Sequence, residues 1–589
     1  MKRFEVWAPR ADRVELWAQG RVSAMAATGG GWWSLVLDDL PPECDYAFVL
    51  DGEAPRPDPR SPRQPYGVHG PSRTIDHARF PWTDRGWNAP PLSSGVIHEV
   101  HVGTFSEEGT FDGAIAHLDH LVALGVTHVE LMPVAAFPGA RGWGYDGVSL
   151  FAPHEDYGGP DGLKRLVDAC HERGLAVLLD VVYNHLGPDG NHLPRFGPYF
   201  TDRYETPWGD APNLDGPGSD TVRRFFFDNA RSWLRDYHLD GLRIDAVHSI
   251  VDTSALHFLE ELAREVAGLQ TELGRHLVLI AENDRNDPRV VRSADAGGHG
   301  FDAQWNEDFH HAMHALLTGE REGYYADFGT TEDLGATLER VYCLDGRFSC
   351  FRGRRHGRRA GDVPRNRFVA CAQNHDQVGN RARGERLGHL VGLDDCRIAA
   401  ALLLTAPFVP LLFQGEEWGA SSPFQYFTDH QDEELAEAVR TGRRAEFGAF
   451  GWDPEQVPDP QDVATYERSK LDWRELDRER HRTLLEWYVA LIRLRRTTPA
   501  LLDGDAQATR VRADADWIVV RRPPITVVCN LGDGEREIPV EGAAAAHVVL
   551  RWARSVELAD DSVLLGARAV AILSDEDTAI DLPPRVSLP

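Results

Sequence analysis

The stretch Asp240-Gly-Leu-Arg-Ile-Asp-Ala-Val-His248 carries two opposite charges, Arg243 and Asp245, inside an otherwise apolar segment. Two residues apart on a strand, they share one face. A carboxylate taken out of water costs several kcal/mol unless it is paired, and a same-face arginine is the obvious partner. Alone, the pair is equally well explained as a structural ion pair. Three further apolar segments end in the same manner: Asp180-Val-Val-Tyr-Asn-His185, Ala281-Glu282-Asn-Asp284, and the run from Phe368 that closes on Asn374, His375 and Asp376. Converging carboxylates without a metal cluster suit chemistry on an acetal. One acid protonates the leaving oxygen, and a second attacks or stabilises the oxocarbenium-like carbon. The two roles need different pKa values, which environment must set. Arg243 beside Asp245 keeps that carboxylate ionised, as a nucleophile requires. Glu282 follows Leu-Ile-Ala, has no adjacent arginine, and is expected to stay protonated.

The elements that must position these ends alternate. From Ser94 to about 475, short apolar runs (95–102, 126–132, 175–182, 277–282) are separated by amphipathic stretches expected to be helical (111–124, 163–173, 223–237, 254–268). Repeated β-α units predict a parallel sheet, open or closed. No glycine-rich phosphate fingerprint follows the first run, and the polar residues fall at the C-terminal ends of several strands. That is the active face of a (β/α)8 TIM barrel, which is the fold expected here. Before it, Phe4-Glu-Val-Trp7, Val14-Glu-Leu-Trp17 and Trp33 to Leu37 alternate as strands of a small N-terminal β-sandwich. The proline-rich tract 53–65 should cross the surface in extended form and pin that sandwich to the next unit. Arg480 to Leu494 reads as an amphipathic packing helix, and strands beginning at Trp517, Ile525 and Ala545 form a C-terminal β-sandwich. The division is 1–90, 91–495 and 496–589.

The net charge of −30, from 92 acidic against 62 basic side chains, argues against a nucleic-acid or anionic-membrane partner. Seven scattered cysteines without CxxC pairs read as reduced thiols, with no zinc site. The N-terminus lacks an apolar signal core, and no run approaches a membrane span, so a cytoplasmic protein is expected.

Taken together, Asp180-Val-Val-Tyr-Asn-His185, Gly241-Leu-Arg-Ile-Asp245, Ala281-Glu282 and Asn374-His-Asp376 resemble the four signatures of the α-amylase family of retaining glycosidases, in the family's order. The resemblance implies Asp245 as nucleophile, Glu282 as general acid/base, and Asp376 as the third carboxylate, gripping the sugar at subsite −1. It implies His185, Arg243 and His375 as contacts there, and Tyr145, in Gly144-Tyr-Asp146, as the platform under that ring. A core tyrosine is the plainer alternative. No cofactor is implied; a structural calcium occurs among amylases, but no EF-hand-type acidic loop is present.

The opening Phe-Glu-Val-Trp-Ala-Pro resembles the N-terminal module of branching enzymes, debranching enzymes and members that release trehalose. Asn374-His-Asp-Gln-Val-Gly-Asn-Arg381, the tract Gly442 to Trp452, and His98-Glu-Val-His-Val-Gly-Thr-Phe105 favour the last group, although branching enzymes share the third closely. The substrate so implied is a maltooligosyltrehalose, cut by a monomer. Branching or debranching activity and an inactive glucan-binding scaffold are the competing readings. His248 and Gln377 are candidates for the +1 and +2 side, each set against a structural role. Glu307 and Asp308, in Trp305-Asn-Glu-Asp-Phe309, are further candidates against a loop held by its own hydrogen bonds.

Overall fold

The computed structural model describes residues 1–576, apart from 39, 207, 450–455 and 554. At its centre eight parallel strands close on themselves: β1 (Ile97–Val100), β2 (His128–Leu131), β3 (Ala176–Val181), β4 (Gly241–Ile244), β5 (Val278–Ala281), β6 (Ala303–Trp305), β7 (Phe368–Cys371) and β8 (Val409–Phe413). Each pairs with its sequence neighbour, and β8 closes onto β1. The expected barrel is present.

Strand parity decides what enters the barrel. Ile97, Leu178, Val278, Ile280 and Val369 pack together in its interior. Side chains two residues further along point the same way, so Glu99, Asp180 and Glu282 follow Ile97, Leu178 and Ile280 inward at the C-terminal ends. Leu242 and Ile244, by contrast, pack outward with Leu179 in the larger core, which leaves Arg243 inside. Gly241 opens β4 because the wall there is closed: a Cβ would sit 2.4 Å from Val278 Cγ2 and 2.6 Å from Val278 O.

Helices cover the barrel near the expected positions, with three differences. The stretch 111–124 is two helices, Phe111–Ile115 and Leu118–Leu124, the second preceded by the non-helical His117. Helix Ser219–Arg231 runs into a π-helical turn, Ser232–Asp236, that buries Trp233 and Leu234. The helix expected over 254–268 lies four residues later, at Phe258–Leu273.

Two antiparallel sheets precede the barrel, one with Lys2–Trp7 and Trp32–Leu37, the other with Val14–Ala18 and Asp45–Leu50. They meet through Phe4 and Tyr46, whose rings lie 4.9 Å apart. The proline-rich tract ties them to the barrel layer: Arg60 pairs with Asp228 at 2.6 Å, and Arg63 holds Glu155 with both Nε and Nη2 at 3.1 and 2.6 Å. After the barrel, helix Glu479–Thr497 packs against helix Leu393–Thr405. A five-stranded and a three-stranded antiparallel sheet then enclose a core of Trp517, Val528, Ile538, Val563 and Leu573.

Candidate active site

Arg243 organises the C-terminal mouth of the barrel. Fully buried, its Nη1 donates to Asp180 Oδ2 at 2.8 Å and to Asp245 Oδ1 at 2.7 Å. Its Nη2 lies 3.0 Å from Glu282 Oε2, an ion pair without an aligned hydrogen bond. One guanidinium thus touches three carboxylates, and its flat face lies 4.2 Å from the Trp305 ring centroid. This corrects one expectation: Glu282 does have an adjacent arginine. The neighbour comes across the sheet, since β4 pairs with β5 and Ile244 sits opposite Ala281.

The two acids facing each other are nevertheless tuned apart. Burial pushes Asp245 up, but Arg243, His185 and a hydrogen bond from Asn184 outweigh it and hold the carboxylate below its usual range. Asn184 Nδ2 donates to Asp245 Oδ2 at 2.6 Å. Burial pushes Glu282 well above its ordinary value, and the Asp245 and Asp376 charges add to that against Arg243. Its Oε2 accepts the Ala246 N–H at 2.8 Å. Ala246 takes a left-handed backbone (φ 41°, ψ 50°), costly for a residue with a Cβ. That conformation turns its N–H, just past Asp245, onto the Glu282 carboxyl.

His375 is the second cation. Its Nδ1 is 2.6 Å from Glu99 Oε1, its backbone N–H donates to Glu99 Oε2 at 2.9 Å, and its Nε2 is 2.7 Å from the Tyr145 hydroxyl. Tyr145 donates its own proton to Asp180 Oδ2 at 2.6 Å, so both imidazole nitrogens face acceptors and the doubly protonated ring satisfies them. Burial lowers the His375 pKa, yet Glu99 and Asp376 lift it to about 10. Burial likewise raises Asp180 to about 7, against Arg243. Tyr145 is presented by a turn that only glycine fits: Gly144 has φ +99°, and a Cβ there would meet Pro133 O at 2.1 Å. Its ring stacks on His375 at 5.2 Å.

Asp376 is the open member, its side chain 35% exposed and 3.6 Å from His375 Nε2. His185 is held by Asn184 Oδ1 at 2.6 Å and the Tyr145 carbonyl at 3.1 Å, and the half-exposed Trp208 stacks flat on it at 4.4 Å. Tyr145, His185, Arg243, Asp245, Glu282, His375 and Asp376 therefore share one site.

Three of the remaining candidates make contacts of their own beside this group. His248 turns toward the β5 loop, where its Nδ1 is 3.4 Å from the Asp284 N–H and its carbonyl accepts from Arg285. The Gln377 side-chain carbonyl accepts from Tyr324 OH at 3.1 Å. Asp308 is structural, accepting from Asn286 Nδ2 at 2.9 Å and the Leu344 N–H at 2.7 Å. Glu307 faces the site; burial, with Asp284 and Asp376 nearby, lifts it to about 8.

Reading the sequence alone gave Glu99, Asn184, Trp208 and Trp305 no role in the site. Glu99 had a signal, a charge inside the apolar run 95–102; Trp208 and Trp305 had none beyond their residue type. The tract Gly442 to Trp452 falls partly outside the described residues; within its described part Arg443 Nη2 donates to the Gly379 carbonyl at 2.7 Å, at the end of the short helix that carries Asp376. Among the described residues no cluster of His, Cys, Asp and Glu has the geometry to hold a metal ion.

Residues 79–195 match the family model for the alpha amylase catalytic domain. The chain is 54% identical to the malto-oligosyltrehalose trehalohydrolase of Arthrobacter ramosus, over 92% of this chain and 95% of that protein. It is 47% identical to the enzyme of the same name from Mycobacterium tuberculosis, over 98% and 100%. A solved structure from Salmonella typhimurium, provisionally classed as an alpha amylase, superposes with a TM-score of 0.90 at 38% identity, covering 97% of each chain.

Proposed function

The chain belongs to the malto-oligosyltrehalose trehalohydrolases of the α-amylase family, and from that premise we propose how its site performs the reaction. It hydrolyses the α-1,4 bond next to the terminal α,α-trehalose unit of a maltooligosyltrehalose, releasing trehalose and a shortened maltooligosaccharide.

In our reading Asp245 attacks the anomeric carbon of the −1 sugar while Glu282 passes its proton to the departing trehalose oxygen. The glycosyl-enzyme ester is then opened by water, from which Glu282, now a carboxylate, takes a proton; Asp245 leaves and the configuration is retained. One observation carries this assignment. A single guanidinium stands between the two carboxyls, yet burial drives Glu282 well up while Arg243, His185 and Asn184 hold Asp245 down. Anchoring both to one planar fork suits the spacing of about 5 Å that a retaining pair needs. When Glu282 gives up its proton, Arg243 is already in place to meet the new charge. Asp376, open to the mouth beside the His375 cation, is suited to grip hydroxyls of the −1 sugar. Tyr145, His185 and His375 complete that subsite.

His248 and Gln377 we keep as +1 and +2 contacts, supported by their place on the β4 and β7 rim. We also place the protein in the cytoplasm as a monomer, divided at about 90 and 495. Six of its seven free cysteines are buried, and no described helix is long and apolar enough to cross a membrane.

The test is kcat/KM for maltotriosyltrehalose against maltopentaose, with glycogen incubated separately. Without the α-1,1 linkage, polar groups at +1 and +2 are left mispaired at about 1–3 kcal/mol each, so two or three depress kcat/KM by roughly two to four orders of magnitude. Comparable values for the two substrates, or branched products from glycogen, overturn the trehalose-specific reading.

A further inference from the structure

A cavity of about 330 Å³ lies away from the catalytic mouth, between the N-terminal sheets, the linker that follows them, and the start of helix Gly159–Glu172. Lys164, one turn into that helix, lines it. The residue is only 1% exposed, and no described acceptor receives a hydrogen bond or ion pair from its ammonium. Nζ lies instead 5.8 Å from the Phe80 ring and 5.6 Å from the Tyr237 ring. A buried cation without a hydrogen-bonded acceptor is costly; Asp161, Asp236 and Asp76 offset that cost only through space, so an anion in direct contact would stabilise it further.

Independent features of the same place agree. Behind the cavity wall, beneath Lys164, the fully buried Tyr237 hydroxyl has no partner, and neither has Nδ1 of His77, whose ring sits 5.1 Å from that of Tyr237. The 14-residue helix starts at the cavity with no side chain capping its first turn; the Gly159 and Gly162 N–H groups are used by His154 O and Gly158 O and Pro160 has none, so the Asp161 N–H and the positive end of the dipole are what the turn offers. Arg79 stands exposed on the rim.

The lining is not simply basic. Glu43, Asp76 and Asp161 share the wall with Arg63, Arg79, Lys164 and Arg165. Arg63 and Arg165 are already engaged by Glu155 and Asp112. A bare anion would meet this acidic half unfavourably, whereas a ligand carrying both an anionic group and hydroxyl donors would use both halves.

We propose that this junction binds a phosphorylated monosaccharide. Its phosphate lies at Lys164, Arg79 and the uncapped helix start, its hydroxyls donate to Asp76 and Asp161, and its apolar face rests on Phe80. Because the walls come from the linker and from a barrel helix, occupancy fastens the N-terminal sheets to the barrel and raises thermal stability.

The experiment titrates the full chain with glucose 6-phosphate, inorganic phosphate and glucose, by calorimetry and by thermal midpoint. Saturating maltotriosyltrehalose with the Asp245→Asn variant keeps the catalytic mouth filled. Glucose 6-phosphate should bind and raise the midpoint, phosphate should bind more weakly, and glucose should do neither. Lys164→Met should weaken binding about 10- to 100-fold, the loss of a charge-assisted contact. Its own midpoint should stay level or rise, because the substitution removes an unpaired buried charge. Arg79→Ala, on the exposed rim, should weaken binding less and leave hydrolysis unchanged. Absence of binding at millimolar glucose 6-phosphate overturns the proposal, as does binding unchanged in both variants or abolished by filling the mouth. Phosphate binding as tightly as the sugar phosphate overturns the ligand class.

Discussion

The substitution Glu99→Gln isolates a charge from a shape. Glu99 is 1% exposed at the end of β1 and receives two hydrogen bonds from His375. Together with Asp376 it lifts His375 to about 10 against a strong pull from burial. A folded pKa near 10 against an ordinary 6.5 is worth up to about 4 kcal/mol at pH 7, with Glu99 the largest contributor. The sign follows from the raised value: this stability is fully present below about pH 6.5 and is lost as pH rises toward 10. Glutamine keeps the size and one acceptor but not the charge, so in the variant His375 is neutral at pH 7. The cation beside Asp376, 3.6 Å away, and beside the −1 sugar is then lost, at about 1–2 kcal/mol, or roughly 5- to 30-fold in kcat/KM. Two measurements on maltotriosyltrehalose and in urea check this. The wild-type urea midpoint should fall between pH 7 and 10 more steeply than the variant's, by a slope approaching about 1.4 kcal/mol per pH unit. The variant's deficit in kcat/KM should shrink as pH is lowered and its His375 takes up a proton again. A purely structural Glu99 would lower stability equally at every pH. Parallel midpoint curves, or a deficit that does not change with pH, refute the argument.

Asp245→Asn should fold, because Arg243 retains Asp180 and Asn184 retains the residue 245 carbonyl, and should lose turnover by several orders of magnitude; near-normal hydrolysis by folded protein removes Asp245 as nucleophile. Glu282→Gln should be crippled on the natural substrate and far less on glycosides with a good leaving group, which need little protonation, so equal losses on both count against it as the acid. Arg243→Met leaves three carboxyls facing one another without their cation; removing one partner of a buried pair costs about 3–5 kcal/mol, so the denaturation midpoint should drop by that order and recover partly at low pH. Trehalose should act as a weak product inhibitor that competes on the Glu282 side of the site, and Tyr145→Phe should raise its inhibition constant little compared with the fall in kcat.

The sequence by itself determined the barrel and its catalytic rim. Strand residues alternate with period two, so an acid two positions beyond a buried aliphatic residue must enter the same interior. Two of the four strand ends, Asp180 after Leu178 and Glu282 after Ile280, are of that kind and visible without coordinates. It determined the pairing of Arg243 with Asp245 for the same reason. Only the tertiary structure decided which partners come from elsewhere. Arg243 reaches Glu282 because β4 lies beside β5, and His375 becomes a cation because β1, whose Glu99 is 276 residues away in sequence, closes the barrel onto β8, one strand beyond β7, and brings Glu99 with it. The break before Leu118, the π-turn at Ser232–Asp236 and the stacking of Trp208 on His185 were hidden on the same grounds. A helix or a ring settles against surfaces supplied by distant segments, and periodicity carries no record of them. Ionisation is hidden most completely, since it depends on burial and on the sum of charges meeting in space, and both exist only once the barrel has closed.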